Sequence, residues 1–290
     1  MPRFRAPVLA VALLAPPLLL CAAAPAAAQE EPITLADDPF EITDPVAAPP
    51  GEAELALVGS YTRARRGRVR DTAGSETELE IGVAPRLSLR LGQTTAYGNL
   101  DVRRRLGFAA AASGDAGASD DGGDRAYLGG ATRLGALYQI SEERGAVPAI
   151  GVLGRARTIY GPGRTTYEAD AAALFGKTFA RDGGLPFGVN LNLGYVARID
   201  PLPGERPSRY FVNASLGQAV SLDTALVATY ARERQERGQR DFSLVQLGVR
   251  HRLRSGRTVL GVAAGVGTNR DSPRFEIAFA VQWSFGRGGS

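Results

Sequence analysis

The 290-residue chain contains one cysteine, one histidine and one tryptophan, and Lys177 is its only lysine. The cysteine is Cys21, close to the N-terminus, so no disulfide framework holds the remainder together. A single histidine without thiol partners cannot supply the usual ligand set of zinc, and no phosphate-binding or redox motif is present. No metal and no cofactor is therefore expected. The formal net charge of +4 is small, and arginines are interspersed with acidic residues along the chain. Nucleic-acid binding requires basic charge gathered on one face, so a nucleic-acid partner is not expected. Beyond residue 28 no apolar run approaches the roughly 20 residues of a spanning helix. Insertion into a membrane, where no water is available to backbone groups, would then require a closed barrel of strands.

What is present begins with a secretory signal over 1–28. Arg3 and Arg5 form its basic start, Ala6 to Leu20 its apolar centre, and Ala26 and Ala28 an A-x-A cleavage site before Gln29. Cys21 follows Leu20, where lipoprotein processing generally needs a small residue, which argues against lipidation. Residues 29–51 mix acids with Pro32, Pro39, Pro45, Pro49 and Pro50, and read as a flexible periplasmic leader too polar to order itself. Within it, Glu31 to Leu35 bears a faint likeness to an energy-coupling box. The chain has no room for the plug domain such a receptor needs, so a plain linker is the preferred reading.

From Glu52 to Phe285 the hydrophobic pattern has period two, the signature of half-buried strands. Twelve are expected, over 52–63, 75–84, 86–96, 125–140, 147–160, 165–180, 186–198, 209–220, 224–234, 241–254, 257–267 and 273–285. In the last, Phe275, Ile277, Phe279, Val281, Trp283 and Phe285 share one face, with Glu276 and Gln282 on the other. Many of these segments exceed the five or six residues usual in soluble proteins and match the roughly 9–11 needed to cross hydrocarbon at a tilt. Tight connections such as Pro85 and Ser255-Gly256 alternate with longer ones such as 97–124 and 199–208. Alternation of short periplasmic turns with longer external loops is the habit of outer-membrane barrels. Residues 52–285 are thus expected to form a transmembrane antiparallel β-barrel, followed by a short tail over 286–290.

Register can be read from charge. A turn over 161–164 sets Arg157 opposite Glu168 and Arg155 opposite Asp170, and a turn at Pro85 sets Glu80 opposite Arg90. Such opposed pairs are worth roughly 0.2–1 kcal/mol each. The candidate lumen set is Glu76, Glu78, Glu80, Arg86, Arg90, Arg155, Arg157, Glu168, Asp170, Arg250 and Arg252. Candidates for aromatic girdles at the membrane interfaces are Tyr160, Tyr167, Phe179, Phe187, Phe275, Trp283 and Phe285.

Catalytic chemistry finds little support. His251 is the sole imidazole able to serve a lipid-modifying esterase. It shares a face with Val245, Leu247, Val249 and Leu253, with Leu253 where a nucleophilic serine would be sought. Asp120, Asp121 and Asp124 match no defined calcium loop, and no helix follows Gly161-Pro162-Gly163 to form a phosphate cradle.

Glu78-x-Glu80-x-Gly82 with Arg86-Leu87-x-Leu89-x-Leu91 resembles the early hairpin of the outer-membrane proteins named after the MetA pathway of phenol degradation. So does Gly123-Asp124-x-x-x-Leu128-Gly129-x-x-x-Arg133-Leu134, and Pro148-Ala149-Ile150-Gly151 is similar to the proline-led strand that follows in that family. The sequence departs from that pattern at Ile159-Tyr160-Gly161 and in the residues after Phe285. Members of that family are mostly assigned the transport of aromatic or hydrophobic compounds, so the resemblance implies a channel class and leaves the substrate open. The expectation is a non-enzymatic, porin-like channel of the Gram-negative outer membrane, whose partners are its lipid, small solutes and, during biogenesis, the barrel-assembly machinery. A sealed adhesin-like barrel, a lipid-modifying enzyme and a soluble sandwich are the alternatives.

Overall fold

A computed structural model describes residues 33, 42–100, 126–161, 164–179, 184–203, 205–237 and 239–286. The signal expected at 1–28, the aspartates at 120, 121 and 124, the middle of the 161–164 turn and all but the first residue of the tail lie outside these. The strands are β1 (Ala53–Arg63), β2 (Asp71–Ala84), β3 (Leu87–Gly98), β4 (Tyr127–Ser141), β5 (Ala149–Tyr160) and β6 (Thr166–Phe179). They continue with β7 (Phe187–Ile199), β8 (Ser208–Ala219), β9 (Thr224–Glu233), β10 (Phe242–Arg252), β11 (Thr258–Gly267) and β12 (Phe275–Phe285). The expected strand count holds, with β2 starting earlier than its sequence signal because Asp71 to Gly74 extend the pairing with β1.

Each strand pairs antiparallel with its neighbours in sequence, and β1 pairs with β12 from Ala53↔Phe285 to Arg63↔Phe275, which closes the barrel. Closure removes both sheet edges, so main-chain donors and acceptors along the wall are paired within the sheet. The register expected from charge is present: Arg157↔Glu168, Arg155↔Asp170 and Glu80↔Arg90 are direct cross-strand partners. Val249↔Val262 and Val245↔Val266 align on β10 and β11.

Period two now divides an inside from an outside. Along β3, Ser88, Arg90, Gly92, Thr94 and Ala96 are buried while Leu89, Leu91 and Tyr97 are exposed. Along β10, Leu244, Gln246 and Arg250 are buried while Val245, Leu247 and Val249 are exposed. The wall is therefore charged and polar within and aliphatic without, the reverse of a water-soluble domain. Tyr97, Tyr160, Tyr167, Tyr195 and Tyr210 stand outward at or near the strand ends that lead into the longer loops. Tyr138, Phe179 and Phe285 stand outward at the opposite, turn-bearing end. There Phe179 and Phe187 pack with ring centroids 6.2 Å apart, and Trp283 lies half-buried near the end of β12. At the loop end Phe275 packs on Tyr61 at 5.8 Å. Two aromatic bands thus bracket an aliphatic belt, as an interface with lipid headgroups favours.

Leu247 lies mid-strand on the outer face and is 67% exposed. In a bilayer Leu247→Arg should cost about 2–4 kcal/mol of folding free energy, read from urea titration of vesicle-folded protein, whereas a water-facing position would be indifferent to the change.

Candidate functional site

The inner face carries the chemistry, and it is unevenly distributed around the wall. Small residues dominate the inward register of β11, with Gly261, Ala263 and Gly265, and on β12 Ala278 and Ala280 lie between the buried Glu276 and Gln282. Charge is concentrated on β2 to β9, in two neighbouring networks.

The first joins β5, β6, β7, β8 and β9 towards the loop end. Asp170 accepts from Arg155 at 2.9 Å and from Arg157 at 2.6 Å. Glu168 accepts from Arg209 through both oxygens, at 2.8 and 3.0 Å, and from Arg198 at 3.2 Å. Arg209 also reaches Glu233 at 3.3 Å, while Arg198 reaches Glu205 at 3.3 Å and Glu236 at 3.1 Å. The second network joins β2, β3 and β4. Arg133 binds Glu76 and lies 3.3 Å from Glu78, and Arg90 stands 3.0 Å from both Glu78 and Glu80. Ser88 donates to Glu80 at 2.5 Å. Arg133 and Arg157 are direct partners across β4 and β5, so two cations share a cross-strand site that would repel without the acids on either side.

Glycine makes room for these side chains. A methyl group on Gly92 would meet the Arg133 guanidinium, one on Gly135 the stem of Arg155, and one on Gly194 the ring of Phe211. In mid-strand a glycine weakens the sheet unless another group comes close, and each of these three receives one.

Of the lumen candidates, Glu76, Glu78, Glu80, Arg90, Arg155, Arg157, Glu168 and Asp170 belong to the two networks. Arg250 is buried on β10 beside Gln282, its guanidinium 3.1 Å from the amide oxygen. Arg252 sits at the turn end and pairs with Asp223 of the β8–β9 turn at 2.9 Å. Arg86 needs correction. It occupies the β2–β3 turn with φ of 67°, exposed, and pairs outside the lumen with Glu142 at 3.1 Å. The two-residue turn consumes the position read as the first of β3. Arg144, and after it Arg86, hold the Glu142 carboxyl below its ordinary range. Arg133, Arg198, Arg209 and Glu233 were missed, although parity places each on the inner face. The signal for Arg198 was its register opposite Glu168.

His251 is exposed near the turn end of β10, its Nδ1 2.9 Å from the Thr224 hydroxyl. Among the described residues no group of three or more His, Cys, Asp or Glu side chains is arranged to hold a metal ion.

The expected periplasmic leader departs further from expectation. Its residues 42–50 lie within the barrel: Asn192 on β7 donates to the Thr43 carbonyl at 3.1 Å, and the Ala48 amide donates to Glu80 at 3.2 Å. Ala47 packs with Leu137, Leu153 and Leu174 on the inner wall. Composition judged this stretch unable to order itself alone; the wall supplies the apolar surface and hydrogen-bond partners it lacks.

The fold is that of outer-membrane β-barrels. The COG4313 outer membrane channel from Pseudomonas putida F1 matches with a TM-score of 0.54 at 13% identity, covering 86% of this chain and 100% of that one. The β-domain of the Bordetella autotransporter Brka matches with a TM-score of 0.50 at 12% identity, covering 81% of this chain and 100% of that one. A channel and an autotransporter share this architecture, so likeness establishes the fold and leaves function to the lumen. No protein-family model and no curated protein matches the chain.

Glu168 gathers Arg157, Arg198 and Arg209, so Glu168→Gln leaves three buried cations short of a counter-charge. Breaking such a group costs about 3 kcal/mol. The barrel should fold but unfold at lower temperature, as read by the loss of its heat-resistant band on electrophoresis.

Proposed function

We propose that the chain is an outer-membrane protein acting as a passive channel for small solutes. The observation that carries this reading is the lumen wall, in which arginines and carboxylates line β2 to β9 while lipid-compatible residues cover the outside. Charged groups around a pore set which ions and polar solutes pass. The signal expected over 1–28 supplies the export route, and outer-membrane lipid and the barrel-assembly machinery are the partners such a barrel requires. The short motifs that resemble the phenol-degradation family favour hydrophobic or aromatic compounds among the solutes carried.

One observation favours a second reading, a closed structural or adhesin-like barrel. The loop-end network ties the consecutive strands β5 to β9 through shared ion pairs, so it would also serve to brace the wall. The two differ in conductance. Refolded into a planar lipid bilayer, a channel gives discrete, reproducible current steps, and folded but silent protein favours the closed barrel. Replacing Arg155 and Arg157 together with glutamine removes two cations beside Asp170 and Glu168. The reversal potential under a salt gradient should then shift towards cation selectivity; an unchanged potential would place the permeation path elsewhere.

A further inference from the structure

Residues 42–50 run along the inner wall at the turn end before the chain enters β1. Ile42, Thr43, Pro45 and Ala47 are buried, whereas Val46 is 48% exposed. The segment thus lies along the wall, bends at Pro45 and leaves Val46 exposed.

The wall beneath it is shaped for it. A methyl group on Gly151 of β5 would strike Pro45, one on Gly176 of β6 would strike the Pro45 ring, and one on Gly82 of β2 would strike the Pro49 and Ala48 carbonyls. All three glycines lie near the turn ends of their strands and leave the bed clear. Asn192 holds the Thr43 carbonyl at one end of the segment and Glu80 the Ala48 amide at the other. Glu80 belongs also to the Arg90 network, so seating of the segment and the charge lining are coupled through one carboxylate. Upstream, the Ile33 amide donates to the Leu222 carbonyl of the β8–β9 turn at 2.9 Å, and its side chain packs on Ala219 and Ala225. Cys21 is the only cysteine, so none of these attachments is a disulfide. They are hydrogen bonds and packing contacts, which open and re-form on the scale of local unfolding.

We propose that residues 42–50 are a strap that constricts the turn end of the pore, and that lifting the strap from its glycine bed widens the conducting path. The proposal rests on the channel reading and adds to it a built-in constriction belonging to the same chain.

The test uses a Cys21→Ser background with Thr43→Cys as reporter, because Thr43 is buried when the strap is seated. Two independent changes lift the strap. Gly82→Leu with Gly151→Leu fills the bed, and Ala47→Asp places a charge against the apolar patch without altering the wall. In either, a charged maleimide should label Thr43→Cys about tenfold faster than in the parent. Unit conductance should rise about twofold as the path widens. Equal labelling of parent and lifted barrels would overturn the seated strap, whatever the barrel conducts. Faster labelling with unchanged current steps would overturn the constriction. Faster labelling with silence from both barrels would leave the seated segment standing and overturn the channel reading itself.

Discussion

Hydrogen bonding of the main chain is the constraint on which the rest depends. Inside a bilayer each unpaired amide or carbonyl costs several kcal/mol, so a sheet that enters lipid must have no edge. The pairing of β1 with β12 meets that demand. Once the sheet is closed, alternate side chains on every strand must face either lipid or lumen, and the assignment of each strand propagates to its neighbours. A slip of one residue between any two strands would carry a set of charges into hydrocarbon, so register is firmly specified.

The same partition explains the placement of charge. An arginine turned outward at mid-depth is costly, and an arginine turned inward is tolerated when carboxylates meet it. The lumen meets this need with shared contacts instead of isolated pairs: Glu168 serves three arginines and Asp170 serves two. Polar groups on the outer face are satisfied sideways. Gln93 bonds Thr132 and Tyr160 on adjoining strands, which keeps an amide at the barrel surface from facing lipid unpaired. Glycines on the inner register admit the long side chains, so the wall trades local strand propensity for space.

Much of this was legible in the sequence because period two and opposed charges are local signals. The strands and the pairs Arg157–Glu168, Arg155–Asp170 and Glu80–Arg90 follow from spacing alone, and closure follows from the need to pair every main-chain group in lipid. Arg86 was misplaced because a two-residue turn and a strand start look alike in composition, and only the backbone at φ of 67° distinguishes them. Arg198 and Arg209 share Glu168 on β6, which inward parity and the register opposite Glu168 could have shown, whereas their further acids Glu205 and Glu236 come from loops whose approach no periodicity encodes. The strap was invisible for a related reason. Its proline-rich composition speaks of what the segment does alone, and its order comes from Asn192, Glu80 and the glycine bed far along the chain.

The central claim is that one face of every strand meets lipid while the other encloses the lumen. Fluorophores placed singly along β10 in a Cys21→Ser background, in vesicles of brominated lipid, test it directly. The account predicts strong quenching at Val245, Leu247 and Val249 and weak quenching at Leu244, Gln246 and Gly248, in strict alternation. Uniform quenching along the strand, or none at any position, would contradict it.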